Sequence, residues 1–242
     1  MAEGTTLLLG ALEMASDRQL DGPCALPGWS GRHLVAHLAL NAEALMNLAR
    51  WARTGVETPM YSSMAQRDAD IEAGSRLPAA ELRDRVVETA VALDATLAGL
   101  TAEQWGNPVR TAQGRAVSGE EIPWMRSREV MVHAVDLGTG VRFGDLPTDF
   151  LASLVDDIVA KRAGEKLGLV IVAEDHGGRW EIPGAGTTEV PGAETTEVPG
   201  AGTTEVARAG TTEVVAPLSE LAAYLAGRES TLGAQPVLPR WL

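Results

Sequence analysis

The sequence predicts an α+β protein, with a four-helix bundle over residues 1–165 followed by a smaller α/β domain over residues 166–242 that carries a repeat-extended loop. Three observations predict it. Four long segments of the first half carry apolar residues at helical spacing. Near residue 165 the pattern changes to short β-rich runs separated by turn residues. An eight-residue unit then repeats in tandem through residues 183–210.

The first helix is expected from Thr5 to about Leu20, on Leu7, Leu8, Ala11, Leu12 and Ala15, and Asp21-Gly22-Pro23 stops it. After the loop at Pro27-Gly28-Trp29, Ser30 is an N-cap for a long second helix that runs to about Thr54 and is closed by Gly55. A polar, Met-rich connection leads to a third helix from Leu77 to Leu100, with Leu82, Val86, Val87, Ala90, Leu93 and Leu97 as its apolar stripe. Residues 107–118 read as a long loop. The fourth helix runs from about Ser118 to Leu137, with Glu120 and Glu121 in its first turn and Gly138 beyond its end. Loops of these lengths suit an antiparallel bundle.

A fifth helix, from about Pro147 to Gly164, leads out of the bundle. Leu167 to Ala173 and Arg179 to Ile182 read as a hairpin around Asp175-His176-Gly177-Gly178. The octapeptide Gly-Ala-Gly-Thr-Thr-Glu-Val-Pro and its three following copies supply one large apolar residue per unit, too little for a stacked solenoid core. They are expected as a surface loop lengthened by duplication, whose last copy, Thr211 to Val215, is a strand. Leu218 to Ala226 is the final helix.

With 45% hydrophobic and 22% charged residues the chain can bury a core, and disorder is excluded. No apolar run reaches the roughly 20 residues of a membrane span, and the N-terminus lacks the basic start of a signal peptide, so a cytoplasmic protein without membrane association is expected. One cysteine, Cys24, excludes an internal disulfide framework. A net charge of −13 argues against nucleic acid as a partner. A monomer acting on small molecules is expected.

The chain holds only four histidines, and three of them fall on two helices: His33 and His37 on the second, His133 on the fourth. Residues four apart share a helix face, which pairs His33 with His37 and Glu129 with His133. Leu34, Leu38, Asn41, Leu45 and Leu48 mark the buried face of the second helix. On a wheel of about 100° per residue, His37 lies roughly 60° from its centre and His33 roughly 100°. His37, Glu129 and His133 are therefore the ligand set expected for one divalent metal in the bundle. Two imidazoles and a carboxylate with an open position suit catalytic zinc; Fe(II), Co, Ni and Mn accept the same donors. The competing reading makes these residues ordinary hydrogen-bonded members of the bundle. His176, in a turn, reads as a solvated surface residue.

Four stretches also carry a resemblance: Leu26-Pro27-Gly28-Trp29-Ser30-Gly31-Arg32-His33-Leu34-Val35-Ala36-His37, Gly55-Val56-Glu57-Thr58-Pro59-Met60-Tyr61, Thr111-Ala112-Gln113-Gly114-Arg115, and Trp124 through Gly138. Together with Tyr224 to Arg228 and the terminal Pro-Arg-Trp-Leu, they closely resemble the mycothiol-dependent maleylpyruvate isomerases. The bundle motifs alone are shared with the wider DinB-like metal-binding superfamily. The resemblance implies a DinB-like bundle, zinc on His37, Glu129 and His133, mycothiol as thiol cofactor, and Arg228 as the catalytic arginine on the last helix. Without the resemblance, Arg228 reads as a cation at a helix C-terminus.

The activity so implied is cis–trans isomerisation of maleylpyruvate to fumarylpyruvate in gentisate-type aromatic degradation. A thiolate adds to the double bond, rotation follows, and the thiolate leaves. Cys24, beside Pro23, is a poor nucleophile candidate, whereas zinc with an open position makes a thiolate from a bound thiol at neutral pH. Arg228 is the first candidate to orient a substrate carboxylate or stabilise an enolate. Arg115, on the Gln-Gly-Arg loop, is the second, and is expected at the cofactor. A mycothiol S-transferase acting on another electrophile and a non-catalytic metal- or thiol-binding regulator are the alternatives.

Overall fold

The computed structural model describes residues 1–185, 211–232, 236 and 238. They form two compact units, Met1–Arg142 and Phe143–Leu242. The class is the expected one, a helical bundle and a smaller unit built on a sheet.

In the first unit the elements are α1 (Ala2–Met14), α2 (Asp17–Asp21), α3 (Gly31–Thr54), α4 (Met64–Gly74), α5 (Ala79–Ala98), α6 (Ala102–Trp105), β1 (Pro108–Arg110), β2 (Ala116–Ser118) and α7 (Ile122–Asp136). Helices α1, α3, α5 and α7 make the bundle: α1 packs on α7, α7 on α3, α3 on α5, and α5 on α1. The leucines expected on the buried face of α3, Leu34, Leu38, Leu45 and Leu48, are fully buried. Truncating any one to Ala costs about 2–5 kcal/mol. α3 starts at Ser30, whose hydroxyl accepts from the backbone N–H of His33, and it stops at Gly55, which takes the left-handed conformation at φ 70°. At Gly4 the helices α1 and α7 touch so closely that a Cβ would lie 2.7 Å from Val130 Cγ2.

Three local readings differ. The first helix is broken, because the Ser16 hydroxyl accepts from the Gln19 backbone while the Gln19 side chain accepts from Ser16 N, starting α2 afresh. The polar connection contains the 11-residue α4, capped by Ser63; only Ile71 and Gly74 of it are buried, which leaves no apolar stripe to read. Residues 107–118, expected as a loop, hold the antiparallel pair β1–β2, with Val109 opposite Val117 as the buried rung.

The second unit opens with a 3₁₀ turn at Phe143–Asp145, followed by α8 (Thr148–Arg162), β3 (Leu167–Ala173), β4 (Arg179–Gly184), β5 (Thr212–Ala216) and α9 (Leu218–Leu225). The sheet order is β4-β3-β5, with β3 antiparallel to β4 and parallel to β5. β3 is central, and Ile171, facing Trp180 on one side and Val214 on the other, is fully buried. α8 packs against α9, and the 3₁₀ turn also lies on α9, so this unit begins at Phe143. The change of sequence period near residue 165 marks the start of its sheet. The octapeptide repeats after Ala185, expected as a surface loop, and the terminal Pro-Arg-Trp-Leu lie outside the described residues. Among the described residues, no helix is long and apolar enough to cross a membrane.

Candidate metal centre

The packing of α7 on α3 brings His37, Glu129 and His133 together. Glu129 and His133, four residues apart on α7, project from one face. His37 reaches across from α3 and places Nε2 at 2.9 Å from Glu129 Oε2. His133 Nε2 approaches the same oxygen at 3.3 Å. All three ligand atoms lie within 4.8 Å of one another, and all three residues are buried. Two imidazoles therefore aim the same nitrogen at one carboxylate in a dry interior, a donor set that fits a divalent ion of the zinc type.

A fourth residue sets the orientation. His133 Nδ1 donates to Asp136 Oδ2 at 2.7 Å, and Asp136 is fully buried. With Nδ1 engaged by Asp136, the ring is held so that Nε2 faces the centre, the nitrogen that a metal would take.

The site also has charges matched to a cation. Burial pushes the His37 pKa down, against the pull of the Glu129 carboxylate. Burial alone would raise the Glu129 pKa, but hydrogen bonds to His133 and His37 outweigh it and hold this carboxyl well below the usual range. At His133 burial acts downward and is overcome by hydrogen bonds to Asp136 and Glu129, which raise its pKa.

Around the three ligands stand residues that the sequence reading did not place among them; it gave Arg126 only a supporting place in the bundle. Arg67, in the first turn of α4, places Nη2 at 3.4 Å from His37 Nδ1, donates through Nη1 to Asp68 Oδ1 at 2.8 Å, and lies with its guanidinium carbon 5.8 Å from the Tyr61 ring centroid. Burial raises the Tyr61 pKa, with Arg67 acting against it. The Trp29 ring sits 5.6 Å from that of His37, tilted by 58°. Arg126, one turn before Glu129, is 1% exposed and donates through Nη1 to Leu38 O and Asn41 Oδ1, both at 2.8 Å, fastening α7 to α3 beside the ligands. Burial takes its pKa down to about 10, although Glu129, Asp94 and Tyr61 favour the charged form.

Asp136 had a readable signal, a carboxylate three residues after a histidine on one helix. Arg67 had none, since α4 has no pattern that says which polar residue turns inward.

The remaining predicted residues have these local surroundings. His33 is engaged at the start of α3, with Nδ1 2.7 Å from Ser30 Oγ and Nε2 3.1 Å from Glu72 Oε2. Arg115, in the β1–β2 turn, pairs with Glu121 at 2.8 Å. Arg228 follows α9 in the second unit, where Nη1 donates to Ala226 O at 2.6 Å. Cys24 is half-buried, and His176 lies in the β3–β4 turn.

The fold has known counterparts. Residues 1–138 match the family model described as the mycothiol maleylpyruvate isomerase N-terminal domain. A crystal structure of a mycothiol-dependent maleylpyruvate isomerase is similar to the chain with a TM-score of 0.86 and 34% identity, over 99% of this chain and 93% of that one. The structure of a histidine-to-alanine mutant of such an isomerase is similar at a TM-score of 0.85, with 34% identity and the same coverage. No curated protein matches the chain. With the family model covering more than half of its residues and a 34% identical relative spanning nearly all of it, the chain belongs to the mycothiol-dependent maleylpyruvate isomerase family.

Proposed function

We propose that the protein isomerises maleylpyruvate to fumarylpyruvate with mycothiol as cofactor, on a zinc ion held by His37, Glu129 and His133. The observation that carries this reading is the convergence of those three buried ligand atoms within 4.8 Å, in the fold of this family. Bound zinc supplies one thing the side chains lack: it keeps the thiol of mycothiol ionised at neutral pH, so that the thiolate can add to the cis double bond and leave after rotation.

The chain's own residues do the rest. His37 and His133 would hold the ion through Nε2, the Glu129 carboxylate would add one negative charge, and Asp136 accepts from His133 Nδ1 and fixes its ring. Burial of the three ligands limits water at the centre, which would favour loss of the thiolate over protonation of the adduct. Arg228 keeps the carboxylate- or enolate-binding role that the family resemblance implies, and Arg115 the cofactor-binding role. The expected setting is the cytoplasmic degradation of aromatic compounds.

The test is product analysis of maleylpyruvate incubated with zinc-loaded protein, with and without mycothiol. Fumarylpyruvate is expected only when both zinc and mycothiol are present, with all the mycothiol recovered. Consumption of mycothiol into a stable adduct would make the protein a transferase. Zinc binding with no turnover at all would leave a regulator. Arg228→Ala is expected to lower kcat/KM by about 100-fold or more if that arginine contacts the reacting group.

A further inference from the structure

We propose that Trp29 is the stacking platform for the sugar portion of the thiol cofactor, and so a residue that makes the protein prefer mycothiol to a simple thiol. This rests on the reading that mycothiol is the cofactor and that its sulfur lies at His37, Glu129 and His133.

Trp29 stands beside the ligands without belonging to the buried core of the bundle. It is half-buried. Its ring lies 5.6 Å from that of His37, tilted by 58°, and 6.4 Å from that of His33, nearly parallel at 26°. One indole thus spans a metal ligand and the residue one turn before it on α3, and keeps part of its surface for solvent.

The backbone holds this ring in place. Leu26-Pro27-Gly28-Trp29 forms a tight turn in which Trp29 N donates to Leu26 O at 3.1 Å, with Pro27 at the second position and Gly28 at φ 83° at the third. Around the turn, Cys24 N donates to Trp29 O and Gly31 N to Gly22 O. Ala25 N donates to Asp136 O at the end of α7, and Ser30, the next residue after Trp29, caps α3. A side chain already fixed on both sides loses little freedom when a ligand covers it.

A half-exposed indole in a fixed position binds by its face. Mycothiol is N-acetylcysteine joined through an amide to an aminosugar that carries an inositol. Both rings are uncharged, with hydroxyl groups at the rim and C–H bonds on the faces, and such C–H bonds suit the electron-rich face of an aromatic ring. About five bonds separate the sulfur from the sugar ring, a reach of roughly 6 Å. That matches the 5.6 Å between the rings of Trp29 and His37. A polar edge is at hand in His33, whose Nε2 meets Glu72 Oε2 at 3.1 Å. Glu72 is 53% exposed, and its carboxylate can accept from hydroxyl groups. A neutral polyol is not repelled by a protein of net charge −13.

The experiment removes the ring and the sugars in turn. Wild type, Trp29→Leu and Trp29→Phe are loaded with Co(II) in place of zinc and titrated with mycothiol and with N-acetylcysteine amide, the same thiol without its sugars. The thiolate-to-cobalt absorption band reads binding. Trp29→Leu is expected to bind mycothiol about 10- to 100-fold more weakly, and the amide within about twofold of wild type. Trp29→Phe keeps an aromatic face and is expected within about fivefold of wild type for mycothiol. With zinc, the KM for mycothiol should rise in Trp29→Leu with a smaller change in kcat. Zinc affinity by chelator competition should stay within about threefold of wild type, since Trp29 is no ligand.

Equal losses for the two thiols in Trp29→Leu, or none, overturn the platform and leave the isomerase reading in place. A Trp29→Phe protein as weak as Trp29→Leu overturns stacking in the same way. Loss of zinc or of the fold in Trp29→Leu makes Trp29 a packing residue and also overturns the platform. Should wild type prefer mycothiol without turning over maleylpyruvate, the proposed function fails, while the comparison of the two thiols still decides the platform. A wild type that binds mycothiol no better than the amide overturns both mycothiol as cofactor and the platform.

Discussion

His33 and His37 are one helical turn apart on α3, each meets a glutamate through Nε2, and yet only one of them belongs to the candidate metal centre. The His33–Glu72 contact at 3.1 Å is partly open to solvent, with Glu72 53% exposed. The His37–Glu129 contact at 2.9 Å lies in the bundle interior. The deeper difference is at Nδ1. For His33 that nitrogen accepts from Ser30, whose hydroxyl is 2.7 Å away and whose backbone N is at 3.2 Å. Among the described residues no third ligating side chain completes a cluster at His33 and Glu72, whereas His133 completes one at His37 and Glu129. For His133 the partner of Nδ1 is the Asp136 carboxylate, which accepts the proton and leaves Nε2 ready. Two histidines with carboxylates in reach are thus turned to opposite uses by what stands behind them.

The largest effect expected from this contrast is on metal affinity. His37→Ala removes one of three ligands, and its zinc affinity should fall by about 1000-fold or more, with isomerase activity lost. His33→Ala should bind zinc within about twofold of wild type, because no metal ligand depends on it. Chelator competition on the two purified variants checks both. Equal losses would break the distinction drawn between the two histidines.

A smaller effect separates the ligand from the group that aims it. Asp136→Asn keeps the shape of the side chain but replaces an obligate acceptor with an amide that can turn either way, so His133 is no longer held with its proton on Nδ1. Zinc affinity is expected to fall about 10- to 100-fold, the usual cost of losing such a support. The same titration checks it, with circular dichroism to establish that the bundle is intact. A loss as large as that of His37→Ala would mean that Asp136 holds the helix end together as well as the ring.

Much of the bundle and of its metal centre is legible in the amino-acid sequence, for physical reasons that also show where legibility stops. The leucines of α3 and the valine–alanine stripe of α7 are periodic because they line the bundle core, and a wheel places His37 and Glu129 at the edge of that core. A helix such as α4, with only Ile71 and Gly74 buried, leaves no such trace, and Arg67 is hidden with it. The hairpin β1–β2 is equally silent, since three-residue strands with one buried rung resemble a loop. Direction within hydrogen bonds is harder still, since nothing in the sequence says which side chain stands at Nδ1 of His37. The role of Arg228 rests on the family resemblance, because a cation after a short helix has a sufficient explanation in local carbonyls.

The smallest expected effect tests the other half of the contrast, the structural duty of His33. Ser30 and His33 form a reciprocal cap, with the Ser30 hydroxyl accepting from His33 N at 3.4 Å and His33 Nδ1 accepting from Ser30 N at 3.2 Å. Ser30→Ala removes the hydroxyl from the start of the helix that carries His37 and should destabilise the protein by about 1 kcal/mol. For a chain of 242 residues this corresponds to a fall in Tm of about 2–4 °C, read by calorimetry on the metal-free protein. Zinc affinity should stay within about twofold of wild type, since His37 lies nearly two turns from the cap and is held by packing on α7. If Ser30→Ala weakened zinc binding tenfold, the cap would be setting the position of His37. The two histidines would then be parts of one device instead of neighbours with separate tasks.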